Sequence, residues 1–271
     1  MYEIMIKADT LPEAYHMALR DLKYYGKKVP CPAYSTNRVE AGLRVQVRNP
    51  LEEPMISKIF VGTPEALEQY VMEILDGILD FEIERGNWKY TYHSRIAPQI
   101  PFVIETLKRD PNSTRAVITV RTDEDCDVDN ANPACLQHIQ YFIRDGELEC
   151  SVLFRSNDAY EATFMNAFAL IMLQKRIADE LGVEVGSYTH TANSFHYYEK
   201  DALAMEHAYR EICNKSVEDL TYYYVGDWDK DMAEDRPKIL EKVEELKRRP
   251  IRNDKDENTC ETAQIEIKTL Y

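Results

Sequence analysis

The chain has 271 residues, 44% of them hydrophobic, which is enough for one large domain or two small ones with an ordinary core. Its net charge of −15 argues against broad affinity for nucleic acid or for an anionic membrane surface. No apolar run is long enough to span a bilayer, and the first residues lack a signal-peptide pattern. We therefore expect a cytoplasmic protein with six reduced cysteines, and the absence of paired cysteine spacings predicts no metal site.

The first half of the chain mixes strands and helices. Hydrophobic periodicity predicts these elements in chain order: a strand at Glu3–Lys7, a helix from Leu11, a strand at Ala41–Val47, a helix from Thr63, a helix at Gln99–Lys108 and a strand at Ala116–Val120. Thr63 followed by Pro64 is a typical helix start, with an N-cap and then a proline at the first position. The acidic segment 123–132 has no core pattern, so we predict an exposed loop there.

The centre of the chain predicts a β-hairpin with a reactive thiol at one end. Two alternating runs, Ile139–Ile143 and Leu148–Phe154, are joined by Asp-Gly, which is the strongest short hairpin signal. Cys135 precedes the first run and Arg155 follows the second, so we expect thiol and guanidinium at the same sheet edge. A positive charge lowers the pKa of a thiol, and an arginine fork suits a phosphate. This pairing suggests covalent chemistry on a nucleotide.

The remainder of the chain predicts one long helix, a strand and a charged C-terminal region. The helix runs over Phe164–Leu181 and ends before a glycine, and the strand covers Val183–Thr191. An amphipathic, solvated helix is predicted at 238–249, and a polar, acidic tail follows at 252–271. We interpret 1–271 as a single domain in which 202–271 is a divergent, helical and charged region.

The residues around the hairpin resemble the thymidylate synthase family, and most closely its shorter archaeal-type branch. The family signature is a Pro-x-Cys nucleophile, a Gln on the next strand, an Arg-Ser-x-Asp segment, a downstream Asn and a later His-x-Tyr. In this chain the matching residues are Cys135, Gln140, Arg155-Ser156-Asn157-Asp158, Asn166 and His196-Tyr197-Tyr198. The resemblance implies an α/β (α+β) fold with a large, mostly antiparallel twisted sheet and flanking helices. It also implies a homodimer in which the sheets of two subunits pack together.

The resemblance also implies a reaction and a set of site residues. Cys135 would attack C6 of dUMP, while Tyr92 and Glu73 would handle protons with water and Asn166 would read the uracil. The nucleotide would be bound by Arg38, Gln140, Arg155, Ser156, Asn166, His196 and Tyr198, with Arg115 supplied by the partner subunit. Asp158 and Trp88 would bind the one-carbon donor, methylenetetrahydrofolate or a tetrahydromethanopterin analogue.

Three departures from the family pattern keep alternatives open. His93 replaces the family glycine after Tyr92, Arg115 is the single arginine where two are usual, and the usual apolar C-terminal segment is missing. Hydride transfer would give dTMP, whereas a related pyrimidine nucleotide hydroxymethylase would add water. A non-catalytic nucleotide-binding protein is a third interpretation. For single residues the structural alternatives are a solvated Arg38, a partly exposed Glu73, and a core strand at Trp88–Arg95 that includes Tyr92.

Overall fold

The predicted hairpin lies inside an eight-stranded sheet in the computed structural model, which describes residues 1–130 and 132–249. The strands of the described chain are β1 Glu3–Ala8, β2 Lys27–Cys31, β3 Thr36–Val47, β4 Ile56–Ser57, β5 Val117–Thr119, β6 Leu136–Arg144, β7 Glu147–Phe154, β8 Asn157–Asp158, β9 Glu184–Tyr198 and β10 Thr221–Tyr222. The main sheet has the order β1-β3-β9-β7-β6-β5, with β2 paired to β3 and β8 to β9, while β4 and β10 form a separate pair.

The sheet is mixed, with an antiparallel majority. Four of its seven pairings in the described residues are antiparallel, namely β2–β3, β3–β9, β5–β6 and β6–β7. The pairings β1–β3, β7–β9 and β8–β9 are parallel. The large, mostly antiparallel sheet with flanking helices predicted from the sequence is therefore confirmed.

The hairpin has the turn that its sequence predicts. Asp145 and Gly146 have positive φ angles of 51° and 86°, the pattern of a type I′ turn, whose twist matches that of the flanking strands. At the other end of β6 the pairing shifts by one residue between Leu136 and His138. The extra residue is Gln137, whose carbonyl accepts the N–H groups of both Val120 (2.8 Å) and Arg121 (3.1 Å). This β-bulge lies next to Cys135.

The helices begin and end where local signals place them. They are α1 Leu11–Tyr25, α2 Pro64–Asp76, α3 Phe81–Glu84, α4 Tyr92–Ile96, α5 Ile100–Arg109, α6 Thr163–Leu181, α7 Ala202–Asn214 and α8 Asp229–Arg248. The Thr63 hydroxyl accepts from the Ala66 N–H at 3.2 Å, which caps α2 as predicted. Gly182 has a φ of 69°, so α6 ends in the left-handed conformation that glycine adopts without a steric cost.

Helices of the described residues pack on one face of the sheet, and side-chain burial differs between the two faces. Along β1 the side chains of Ile4 and Ile6 are buried, whereas Met5 on the opposite face is 77% exposed. Helix α6 supplies the centre of the core, and its Phe168 is 0% exposed. Full burial of such a side chain stabilises the fold by roughly 1.5–3 kcal/mol. The opposite face carries half-buried side chains such as Gln140 and is free of helices in the described residues.

Several local expectations were wrong. Trp88–Arg95 is not a strand, because Thr91 caps the short helix α4 within it. His196 and Tyr198 lie inside β9 rather than after a shorter strand. The segment 123–132 is not fully exposed, since Asp125 is only 3% exposed.

The described part of the C-terminal region contains helices α7 and α8, with the short strand β10 between them. Helix α8 begins nine residues before the predicted start at 238, and Ile239 and Val243 are buried on its inner face. None of the helices in residues 1–130 and 132–249 is long and apolar enough to cross a membrane. The tail predicted at 252–271 lies outside the described residues.

Candidate active site

The turn that carries Cys135 is held by the side chain of Arg155. The Arg155 Nε donates to the Ala134 carbonyl at 3.0 Å, and its Nη2 donates to the Pro133 carbonyl at 2.7 Å. The backbone N–H of Arg155 donates to the Cys135 carbonyl at 2.8 Å. The two ends of the hairpin therefore meet, as the sequence predicted, and the guanidinium fixes the backbone around the thiol.

The bulged residue Gln137 supports the same turn from the other side. Its Nε2 donates to the Ala134 carbonyl at 2.7 Å and to the Cys135 carbonyl at 3.2 Å. Sequence reasoning missed this residue, because the strand pattern alone does not reveal where a bulge interrupts it.

The charge balance at the thiol differs from the sequence expectation. Burial raises the pKa of Cys135, and the nearby Arg155 guanidinium offsets only part of that rise. The net lowering of the Cys135 pKa expected from Arg155 was therefore wrong. The thiol is protonated near neutral pH, so its proton must leave before attack.

Tyr92 places its hydroxyl beside the nucleophile. It is the first residue of α4, and its hydroxyl accepts from the Leu136 N–H at 3.3 Å. Burial and the charge of a Cys135 thiolate raise the pKa of Tyr92, so this phenol stays protonated and can donate a hydrogen bond. The same two causes raise the pKa of neighbouring Tyr90 to about 12.

A buried ion pair behind the nucleophile was not predicted. The Arg95 Nη1 donates to Asp125 at 2.6 Å and to the Val120 carbonyl at 3.0 Å, and its guanidinium lies 3.7 Å from the Tyr90 ring centre. Asp125 in turn accepts from the Ala134 N–H at 3.3 Å. Burial alone would raise the pKa of Asp125, but Arg95 and backbone N–H groups outweigh it and lower that pKa. Asp125 also accepts from the Thr122 backbone N–H at 3.1 Å, and no sequence pattern pointed to its pairing with Arg95.

Arg38 is part of a second charged group on β3 and β9. Its Nε donates to Glu40 at 2.7 Å, and the Ser194 hydroxyl donates to the same carboxylate oxygen at 2.8 Å. Burial works to lower the pKa of Arg38, yet Glu40 raises it, so the guanidinium is firmly charged. Arg38 lies opposite Tyr198 in the β3–β9 register. The interpretation of Arg38 as a freely solvated arginine does not fit this placement, and Glu40 was missed.

His196 lies on β9, where the charges of both Arg38 and Arg155 act on it. Its Nδ1 lies 3.1 Å from the Ser194 carbonyl, which places the ring proton on Nδ1 and leaves Nε2 as an acceptor. Burial lowers the pKa of His196, and the positive charges of Arg38 and Arg155 lower it further. The Tyr198 ring meets the His196 ring edge-on at 5.0 Å between centres. The positive charge of Arg155 therefore works to lower the pKa of both Cys135 and His196.

Asp158 is the backbone neighbour of His196 in the pairing of β8 with β9. Its Oδ1 accepts from the N–H groups of Tyr160 (2.9 Å) and Glu161 (2.8 Å), and burial raises its pKa despite these bonds. Ser156 is half-buried between Arg155 and the β8 strand.

Asn166 is held between α2 and β8. Its Oδ1 accepts from the Asn157 Nδ2 at 3.1 Å, and its Nδ2 donates to the Tyr70 hydroxyl at 2.7 Å. Glu73 lies one turn beyond Tyr70 on α2, where its carboxylate accepts from the Gln69 side chain at 3.0 Å. The contact between Asn166 and Tyr70 joins α6 to α2, the helix that also carries Glu73.

Three predicted residues lie apart from this group in their described contacts. Gln140 donates to the Thr114 carbonyl at 2.9 Å, on the half-buried face of β6. The neighbouring Arg115 is exposed, and its backbone N–H donates to the Ser113 hydroxyl at 3.2 Å. Trp88 is tied by its backbone N–H to the Glu82 carbonyl at 3.2 Å, and its buried Nε1 has no partner among the described residues.

The combined arrangement offers an attacking thiol, a protonated phenol, two fixed guanidinium groups and a buried carboxamide. The guanidinium groups suit an anion, and the carboxamide suits a planar ring with adjacent donor and acceptor atoms. Nucleophilic attack on a phosphorylated heterocycle would need groups of these types.

The chain is similar to known proteins in sequence and in fold. A family model described as thymidylate synthase matches residues 75–232. A relative from Methanocaldococcus jannaschii, described as "Putative thymidylate synthase", is 31% identical over 202 residues, which cover 72% of this chain and 90% of the relative. A thymidylate synthase from Listeria monocytogenes is 33% identical over 111 residues, or 41% of this chain and 35% of that protein. The thermostable thymidylate synthase A from Bacillus subtilis shares the fold, with a TM-score of 0.61, 15% identity, and coverage of 80% of this chain and 97% of that chain.

Proposed function

Because the chain belongs to the thymidylate synthase family, we propose that it methylates dUMP at C5 to give dTMP, with Cys135 as the nucleophile. The observation that carries the proposal is the position of Arg155, which holds the turn around Cys135 and acts electrostatically on His196. One side chain therefore connects the place of covalent attack with the place where a nucleotide would be held.

The phosphate group would bind between Arg155 and Arg38, with Ser156 beside them. A guanidinium has five N–H groups, and Arg155 donates two of them to the Pro133 and Ala134 carbonyls. The other three find no acceptor among residues 1–130 and 132–249, and they suit the phosphate oxygens. Glu40 holds Arg38 in place without removing its charge. The neutral His196 and the Tyr198 hydroxyl lie on β9 where they can bind a sugar hydroxyl.

The base would be read by Asn166 and attacked by Cys135. An amide N–H suits O4 of uracil, and an amide oxygen suits its N3–H. Attack at C6 makes C5 nucleophilic, and the proton later lost from C5 would pass to water bound by Tyr92. Glu73 would order the water at O4. The raised pKa of Cys135 means that deprotonation is part of the attack step.

The one-carbon unit and the hydride would come from methylenetetrahydrofolate or a tetrahydromethanopterin analogue. The second carboxyl oxygen of Asp158 makes no hydrogen bond within the described residues, so it fits an N–H group of a pterin ring. The buried, unpaired Nε1 of Trp88 is a further donor for which the co-substrate is a suitable partner. The hydroxymethylase alternative is not favoured, since the relatives described above carry thymidylate synthase names.

The uncovered face of the sheet would pack against a second subunit. Exposed Met5 and half-buried Gln140 lie on this face, and Arg115 is exposed beside it. We propose that Arg115 reaches the phosphate site of the partner. Mixing Arg115→Ala subunits with Cys135→Ser subunits should then restore activity in the hybrid dimer, and a mixture with no activity would contradict a shared site.

The reaction is tested by tritium release from 5-tritiated dUMP, followed by chromatography of the nucleotide product. The wild-type protein with methylenetetrahydrofolate should release the label and form dTMP. Cys135→Ser should release none while still binding dUMP, because the thiol is needed only from the attack at C6 onward. Cys150→Ser is a control, since that thiol is buried on β7 outside the site. Binding without release by the wild type would contradict the proposal.

A further inference from the structure

Four buried side chains are linked end to end and terminate at Asn166. The Tyr188 hydroxyl lies 3.0 Å from His190 Nδ1, His190 Nε2 lies 2.9 Å from Asn157 Oδ1, and Asn157 Nδ2 donates to Asn166 Oδ1 at 3.1 Å. Each of the four is at most 7% exposed. The His190 ring is stacked on Phe154 at 4.9 Å between centres, so its plane is fixed. The function proposed above uses only Asn166.

In this series of hydrogen-bonded side chains, the orientation of each amide determines which atom the next group must present. An amide oxygen only accepts and an amide nitrogen only donates. Because Asn157 presents its oxygen to His190, the ring must carry its proton on Nε2, and Nδ1 accepts from the Tyr188 hydroxyl. Burial lowers the pKa of His190 to about 3, so the ring holds a single N–H. Asn157 then donates to Asn166, which leaves the Asn166 nitrogen to donate to Tyr70.

If only the Asn166 amide turned by 180°, its nitrogen would face the Asn157 nitrogen, and two donors would meet. If Asn157 also turned, its nitrogen would face His190 Nε2, and the ring would have to adopt the other tautomer. The hydroxyls of Thr163 and Tyr188 can each donate and accept, so neither opposes such a change. The amides of Asn166 and Asn157 and the tautomer of His190 can therefore reverse only together.

We propose that His190 and Asn157 are positioning residues that fix the orientation of the Asn166 amide and thereby set the choice between uracil and cytosine. This inference rests on the proposed function, in which Asn166 reads the base. Uracil and cytosine exchange donor and acceptor at the two positions that an amide can reach, so reversal of Asn166 would exchange the preferred base.

The decisive variant is Asn157→Asp, which keeps the size of the side chain but makes it accept at both ends when ionised. The new carboxylate still accepts from His190, whereas Asn166 must turn its nitrogen toward it. We would measure the dissociation constants of dUMP and dCMP by calorimetry at pH 8. The preference for dUMP should fall by about tenfold or more. A folded variant with an unchanged ratio would overturn the proposal.

Two further variants separate direction from simple packing. In His190→Phe, Asn157 keeps its contact with the Thr163 hydroxyl, which can donate or accept and so allows both orientations of the amide. The preference for dUMP should therefore also fall. Tyr188→Phe is the matched control: it removes a hydrogen bond from the same chain but leaves the His190–Asn157 contact. In Tyr188→Phe the ratio of the dUMP and dCMP dissociation constants should stay within about twofold of the wild-type value. Without the Tyr188 hydroxyl, a proton on His190 Nδ1 would lack an acceptor, so the ring should keep its proton on Nε2. A shift in Tyr188→Phe as large as that in His190→Phe would overturn the proposal.

The tautomer gives a readout that does not depend on turnover. In protein labelled with ¹⁵N-histidine, the His190 signals are those that disappear in His190→Phe. The dUMP complex should show the Nε2–H tautomer, and a Nδ1–H tautomer there would overturn the proposal. A wild-type protein that binds neither nucleotide would remove the proposed function and this inference together. Binding of dUMP with unchanged ratios in the variants would remove only this inference.

Discussion

Replacing Asp125 with asparagine should expose how strongly the nucleophile turn depends on the ion pair behind it. The Asp125 and Arg95 side chains are 1% and 11% exposed, with 2.6 Å between Oδ2 and Nη1. In Asp125→Asn the Arg95 charge loses its partner in a buried site, and such losses cost roughly 3–5 kcal/mol. The asparagine oxygen can still accept one hydrogen bond, so we expect the lower end, about 3 kcal/mol.

The assay is urea unfolding at pH 7, with Glu105→Gln as the matched control. Glu105 pairs with Arg109, but these side chains are 58% and 78% exposed, so that loss should stay within about 0.5 kcal/mol. The folded pKa of Asp125 is lowered, so its contribution is complete above the unfolded value of about 3.9 and is lost as the pH falls. The difference between wild type and Asp125→Asn should therefore shrink toward pH 3. Equal losses in Asp125→Asn and Glu105→Gln would refute the reasoning.

Three other outcomes follow from the site. Because the pKa of Cys135 is raised, its alkylation by iodoacetamide, followed by peptide mass spectrometry, should be slow at pH 7 and should keep accelerating at pH values where an ordinary thiol, with a pKa of about 8.5, has reached its plateau; a fast reaction at pH 6 would contradict the charge balance described here. Arg155→Ala should raise KM for dUMP and lower kcat, with kcat/KM falling more than about tenfold, because it removes two bonds to the nucleophile turn; a change in KM alone would show that Arg155 does not position the thiol. Asn166→Asp should move kcat/KM from dUMP toward dCMP, and a variant with the wild-type preference would show that another residue reads the base.

The parts of the fold predicted from the sequence were those set by local chemistry. The Asp145-Gly146 turn and the Thr63 cap each depend on a few neighbouring residues, and both formed as predicted. The meeting of Cys135 and Arg155 also followed, because a two-residue turn fixes the register of both strands.

What the sequence did not predict depends on contacts between distant segments. Arg95 and Asp125 are thirty positions apart, and no sequence pattern around either residue predicts that they form an ion pair. Likewise, burial of Cys135 arises from several elements at once, so its raised pKa was not apparent from the nearby arginine. The roles of Gln140 and Arg115 stay predictions, because the described contacts of one subunit place them beside an uncovered sheet face.

The bulge at Gln137 marks a position where the strand could lose a residue without exchanging its two faces. Leu136, Ile139 and Tyr141 are all buried, although Leu136 and Ile139 are three positions apart. A regular strand sends alternate side chains to opposite faces, so this spacing requires one extra residue. Deleting Gln137 would place Leu136 two positions before Ile139 and leave both on the buried face. The deletion would instead remove the amide that donates to the Ala134 and Cys135 carbonyls, so selection on chain length here acts through the nucleophile turn and not through the core.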